Sequence, residues 1–117
     1  MMDVSLLGLN VSRETSERLS HYETLVRKWN PKINLVAKST LDDVVERHFL
    51  DSAQVMKQIP DGSIHLADFG SGGGFPGMVL AILSSELIPD LTVTLVESDQ
   101  RKSAFLRSVA RETQTQV

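Results

Sequence analysis

A chain of 117 residues, 41% hydrophobic and 23% charged, has room for one modest core, and its net charge of -3 excludes an overall basic footprint for nucleic acid. With no cysteine it can carry neither a disulfide framework nor a thiolate metal site, so packing must hold it, as suits a reducing cytoplasm. The longest apolar run, 78–83, is far below the roughly 20 residues that span a bilayer, and no basic segment followed by an apolar run opens the chain, so a soluble cytoplasmic protein with no metal and no membrane partner is expected.

Ser12 can cap a helix over 13–29, where Leu19, Tyr22, Leu25, Val26 and Trp29 recur at three- and four-residue steps as one apolar stripe. Pro31 should stop it, leaving 32–39 as a connector. Thr40 with Asp42 and Asp43 reads as the next helix start, since acids favour the positive end of the helix dipole. This helix should reach about residue 58, with Val45, Phe49, Met56 and Ile59 on its core face, and Pro60, Asp61 and Gly62 supply the turn that ends it. Residues 1–62 thus form an N-terminal helical extension. Within it Arg27, Lys28, Lys32, Lys38 and Arg47 outnumber Asp42, Asp43 and Glu46, a mildly positive stretch that reads either as solvated surface or as a face for phosphates.

The pattern then changes. Residues 64–69 have strand character and run straight into Gly70-Ser71-Gly72-Gly73-Gly74. A helix over 76–84 is apolar nearly all round, a strand at 91–96 is rich in β-branched residues, and a helix over 100–112 buries Ala104, Phe105 and Val109. Strand, loop, helix and strand make a βαβ unit in 63–117. Two parallel strands make a poor sheet, so the sheet is read as cut short, with Thr115, Gln116 and Val117 opening a third strand. The resulting open edge invites self-association.

Glycines between a strand and a helix let a backbone approach a nucleotide-like ligand. A dinucleotide fingerprint would need its third glycine at position 75, which is Phe75, so a nicotinamide or flavin oxidoreductase is disfavoured. Asp68 with Gly70, Gly72 and Gly74 instead fits the acid-x-glycine-x-glycine-x-glycine pattern of Rossmann-like methyltransferases. Glu97, at the carboxyl end of the second strand, can accept both ribose hydroxyl protons of an adenosine, whereas Asp99 also suits a helix cap. Asp68 acts either on the ligand or as a brace for the turn. Arg47, His48 and Asp51 share one side of the second helix, as RNA contacts or as an Arg47–Asp51 pair that braces the helices. Trp29 could stack on a base, although its place on the stripe favours the core.

Asp68-Phe69-Gly70-Ser71-Gly72-Gly73-Gly74-Phe75-Pro76-Gly77 resembles the cofactor loop of the ribosomal RNA small-subunit methyltransferase G family, also called glucose-inhibited division protein B. Lys28-Trp29-Asn30 with Asn34-Leu35, Arg47-His48-Phe49-Leu50-Asp51-Ser52, Leu95-Val96-Glu97 and Arg101-Lys102 agree with it. The resemblance implies a Rossmann-like α/β fold that binds S-adenosyl-L-methionine and methylates N7 of a guanine in 16S ribosomal RNA of the small ribosomal subunit. It puts Gly70, Phe75, Glu97, Ser98 and Asp99 on cofactor-binding positions, joined by Asp68, Ser71, Gly72 and Gly74 from the loop. Ser71 stands where threonine is usual and keeps the hydroxyl. Arg47, His48, Lys28 and Lys32 are the RNA-binding candidates, and no catalytic residue is assigned, because that nitrogen carries a free lone pair. The family continues well past residue 117, so the chain is read as an N-terminal part. A non-catalytic nucleic-acid-binding module is the reading from another class.

Overall fold

The structure, a computed structural model, describes residues 11–35, 41–70 and 72–117, and the side chains of 41–46 lie outside the description. Its elements in order are α1 (Arg13–Ile33), α2 (Leu41–Met56), β1 (His65–Phe69), α3 (Gly77–Leu87), β2 (Thr92–Val96) and α4 (Gln100–Glu112). β1 and β2 pair in parallel, His65 opposite Thr92 through Phe69 opposite Val96, which gives the expected βαβ unit around α3.

α3 is the hub. Every residue from Gly77 to Ser84 is buried, and α1, α2 and β2 all pack on it. One core therefore joins Leu19, Tyr22 and Val26 of α1, Phe49 and Met56 of α2, Val79 and Ile82 of α3, and Phe105 and Val109 of α4. Ser12 caps α1 as expected, its Oγ accepting the Thr15 N–H at 3.2 Å. Glu86 of α3 reinforces this cap: its two carboxylate oxygens accept the Ser12 N–H at 2.9 and 3.0 Å, and one takes the Thr15 hydroxyl at 2.6 Å. The Thr15 hydroxyl, then the Ser12 N–H, holds the Glu86 carboxyl below its ordinary range.

Pro31 does not stop α1. A proline removes its own N–H and crowds the carbonyl four residues back, and near a C-terminus that damage falls on a turn already ending. Burial of Asn30 and Ile33 carries the helix past it, and left-handed Asn34, at φ 50°, closes it with an N–H to the Asn30 carbonyl at 2.9 Å. Lys32 accordingly sits in the last helical turn and not in a connector. Lys38 and Thr40 lie outside the described residues, as do the side chains of Asp42, Asp43, Val45 and Glu46. α2 ends at Met56, and residues 57–59 form turns rather than a continuation. On α4 the buried side is Phe105, Leu106 and Val109, with Ala104 only half-buried.

Residues 115–117 do not open a third strand. Gln114 is left-handed at φ 55°, the Thr115 N–H turns back to the Ala110 carbonyl at 2.9 Å, and the Gln114 N–H reaches the Arg111 carbonyl at 3.3 Å. These are the two bonds of a Schellman cap, which takes the Thr115 donor away from any sheet ladder. Arg18 of α1 secures the turn, Nε donating to the Thr113 carbonyl at 2.7 Å and a terminal nitrogen to the Thr115 Oγ1 at 2.8 Å. Since glycine adopts this conformation without the steric cost, Gln114→Gly is expected to stabilise the chain by ~0.5–1 kcal/mol. A chemical-denaturation midpoint that falls instead would contradict that account.

The sheet is covered on one face. Leu66, Asp68, Val93 and Leu95 turn toward the helices, while His65, Ala67, Phe69, Thr92, Thr94 and Val96 are exposed, Phe69 to 78%. Purely parallel sheets are ordinarily covered on both faces. Among the described residues no helix is long and apolar enough to cross a membrane, and no cluster of His, Cys, Asp and Glu could hold a metal.

Candidate functional site

β1 and β2 run in parallel and end together at Phe69 and Val96, and the described residues 70 and 72–76 lie between β1 and α3. Gly70, at φ +75°, donates its N–H to the Val96 carbonyl at 2.8 Å, extending the ladder by one step before the chain turns away. Asp68 on β1 reaches the far end of the loop, where Oδ2 accepts the N–H of Gly77 at 3.1 Å. The first residue of α3 so gains an acceptor that its helix cannot supply, and a negative charge sits at the favourable end of the dipole. Asp68 therefore braces the turn. A Cβ on Gly77 would stand 2.6 Å from that same oxygen, which is why the motif closes on glycine.

Glu97 follows β2 directly and spans the loop mouth. One oxygen accepts the Gly72 N–H at 2.6 Å and the other the Asp99 N–H at 2.9 Å. The Asp99 N–H, then that of Gly72, holds its carboxyl below the ordinary range, with Lys102 adding a nearby positive charge. Asp99 caps α4, Oδ1 accepting the N–H groups of Arg101 and Lys102 at 2.9 and 3.1 Å, and these bonds, that of Lys102 foremost, lower its pKa. Ser98 lies exposed between the two acids. Ser71 lies outside the described residues.

A carboxylate offers about four lone-pair positions. Glu97 uses one on each oxygen, so each keeps capacity for a hydroxyl donor, which fits a ribose diol. Among the described residues nothing stands within 4 Å of where a Cβ would lie on Gly70, and on Gly72 only the Gly70 carbonyl oxygen does, at 3.9 Å. This side of the loop is open for a ligand to meet bare backbone.

The inner side is closed. Tyr22 of α1 is fully buried and donates its hydroxyl to the Gly73 carbonyl. Burial, then the nearby Asp68 charge, pushes the phenol well above its ordinary pKa, so it remains a donor. Phe75, which precedes a cis peptide bond to Pro76, lies between two rings: Tyr22 at 5.6 Å and 19°, and His48 of α2 at 5.1 Å and 23°. Sequence periodicity placed Tyr22 on a core stripe, with no local signal for its contact to a loop 51 residues away.

His48 and Asp51, with Ser52 and Val55, line a shallow groove of about 260 Å³ against Phe75 and Pro76. Arg47 is exposed outside this groove and forms no ion pair with Asp51 among the described residues, so the bracing pair weighed from the sequence is not made. Lys28 and Lys32 are exposed on α1, whereas Arg27 pairs with Glu23 at 2.9 Å. Trp29 packs edge-on against Phe105 at 5.5 Å, which places it with the core.

A family model described as rRNA small subunit methyltransferase G matches residues 15–117. The chain is similar to proteins named ribosomal RNA small subunit methyltransferase G from several bacteria. That of Rhodospirillum centenum is 64% identical over 106 residues, covering 91% of this chain and 47% of the relative. That of Ruegeria pomeroyi is 59% identical over 104 residues, 89% of the chain and 50% of the relative. That of Cereibacter sphaeroides is 50% identical over 113 residues, 96% and 55%. The chain spans about half the length of the curated relatives it matches.

Proposed function

The chain belongs to the rRNA small subunit methyltransferase G family, and from that premise we propose that it serves S-adenosyl-L-methionine-dependent methylation of guanine N7 in 16S ribosomal RNA, on a Rossmann-like α/β fold in the cytoplasm. The observation that carries this reading is the pairing of Glu97 with the loop. A carboxylate with spare acceptor capacity stands across the mouth of a glycine turn whose ligand-facing side is bare backbone.

The residues divide by task. Glu97 accepts the ribose hydroxyl protons. Gly70, Gly72 and Gly74 let the backbone approach the ligand closely, with Ser71, Phe75, Ser98 and Asp99 around them. Asp68 holds the amide of Gly77 and with it the loop's exit into α3. When bound, the cofactor supplies a methyl already activated on a sulfonium sulfur. Guanine N7 offers a lone pair at neutral pH, so no side chain has to remove a proton and none is assigned as a general base. Rate then comes from alignment of the reacting atoms and from the field around them. His48 and Arg47 of α2, with Lys28 and Lys32 of α1, are the proposed RNA contacts. Contacts from Arg47, Lys28 and Lys32 to phosphate weaken as salt rises. The open edges of β1 and β2 are the proposed surface for self-association.

Thermal melts test cofactor choice and association together. S-adenosylmethionine and S-adenosylhomocysteine should each raise the midpoint, by the equivalent of about 2.7 kcal/mol at a hundredfold excess over Kd, while NAD should not. A midpoint moved by NAD alone sinks the methyltransferase reading. A midpoint that stays constant over a wide range of protein concentration removes self-association.

A further inference from the structure

The glycine loop is held from below by a residue of the helical segment. Tyr22 is the sole tyrosine of the chain, is fully buried, and donates its hydroxyl to the Gly73 carbonyl. In a planar trans peptide the C=O and the following N–H point in opposite directions. A carbonyl drawn into the core toward Tyr22 therefore turns the Gly74 N–H away from that hydroxyl. Gly74 is buried, yet its N–H has no hydrogen-bond partner among the described residues. An acceptor for this N–H has to come from outside those residues, and at a ligand loop an oxygen of the ligand can supply it.

The neighbouring contacts fix the same peptide from other sides. Phe75 is stacked between Tyr22 and His48 and meets Phe49 edge-on at 5.3 Å. Gly74 fits against the Tyr22 hydroxyl so closely that a Cβ there would collide with it. The phenol thus both orients the peptide and sets how deep the loop sits.

We propose that Tyr22 is a positioning residue of the cofactor site, its hydroxyl reaching from α1 to fix the Gly73–Gly74 peptide so that the Gly74 N–H is presented to an acceptor oxygen of the bound cofactor. This rests on the reading that the loop holds S-adenosylmethionine. It makes the first helix part of that site and not an appendage to it.

The test compares Tyr22→Phe, which keeps the ring and deletes the donor, with Val26→Ala, which opens a cavity in the same helix without touching the loop. Calorimetry should show S-adenosylhomocysteine bound about tenfold more weakly by Tyr22→Phe, the loss of one hydrogen bond's worth of affinity. Val26→Ala should stay within about twofold of the parent even if it melts lower. Equal affinities for Tyr22→Phe and the parent, or an equal loss in Val26→Ala, would overturn the proposal. Amide hydrogen exchange without ligand separates this from failure of the cofactor reading. Exchange at residues 74–78 should quicken in Tyr22→Phe and not in Val26→Ala, so a parent that binds no adenosyl-sulfur ligand refutes the cofactor assignment while the exchange data still judge the strut. Should Tyr22→Phe not fold, 3-fluorotyrosine labels this one site in the parent chain. Its fluorine resonance should shift on adding S-adenosylhomocysteine, and an unmoved resonance at saturation would again overturn the proposal.

Discussion

Gly74→Ala is expected to lower stability by ~2–5 kcal/mol and to remove cofactor binding with it. Two penalties add. At φ +98° an alanine occupies backbone space that costs L-residues about 1–2 kcal/mol. Its Cβ would also meet the Tyr22 hydroxyl, stand 2.8 Å from the Met78 Cβ and 3.1 Å from a Leu106 methyl, an overpacked site worth about 1–3 kcal/mol more. None of these neighbours can step aside, because Tyr22 and Met78 are fully buried and Leu106 nearly so. Against a total of roughly 5–15 kcal/mol this is a large share, and the thermal midpoint should fall by about 10 °C or more. Gly72→Ala is the comparison. It also has positive φ, +56°, but among the described residues only the Gly70 oxygen lies near, at 3.9 Å, so its loss should be confined to about 1–2 kcal/mol. If the two variants melt together, steric closure beneath Gly74 is not what shapes the loop.

Glu97→Gln is expected to weaken S-adenosylmethionine binding by about a hundredfold, as befits hydrogen bonds to a charged acceptor worth ~1.5–3 kcal/mol. The carboxylate accepts a backbone N–H on each oxygen, from Gly72 and from Asp99. An amide must put its own NH₂ against one of those donors, so the substitution also loosens the loop. The pH dependence follows from the direction of the shift. Because the folded-state carboxyl is held below its ordinary value of 4.5, the ionised form and its loop contacts persist throughout neutral and mildly acidic solution. Their contribution is complete above the unfolded value and is lost as pH falls through and below it. Cofactor affinity in the parent should accordingly be flat from pH 7 to about 5.5 and should decline only in stronger acid. A decline centred near neutrality would mean that a group other than Glu97 governs binding.

Much of the architecture was legible because it is local. Ser12 and Asp99 announce helix starts with side chains that can turn back on the backbone within three residues. The β-branched run before Glu97 and the glycines after Phe69 mark a strand and a loop by residue type alone. The misreadings share a cause. Pro31 is a breaker by its own chemistry, yet burial of Ile33 two residues later outweighs it. Thr115 to Val117 look extended by composition, yet Arg18, 97 residues away from Thr115, fixes the turn that ends α4.

The same division holds for the site. The sequence by itself determined which groups are the candidates for the site: the acid of β1, the alternating glycines, Phe75 in place of a third dinucleotide glycine, and the acid that closes β2. Their types and spacing are written in consecutive residues, and backbone conformation over so short a stretch follows largely from side-chain sterics and local hydrogen bonds. Only the tertiary structure decided that Asp68 braces Gly77, that Glu97 bridges Gly72 and Asp99, and that the loop rests on Tyr22. Those contacts depend on where α1 and the ends of both strands come to lie once a shared core has formed around α3. That arrangement is settled by the summed burial of residues far apart along the chain, which no short window of sequence contains.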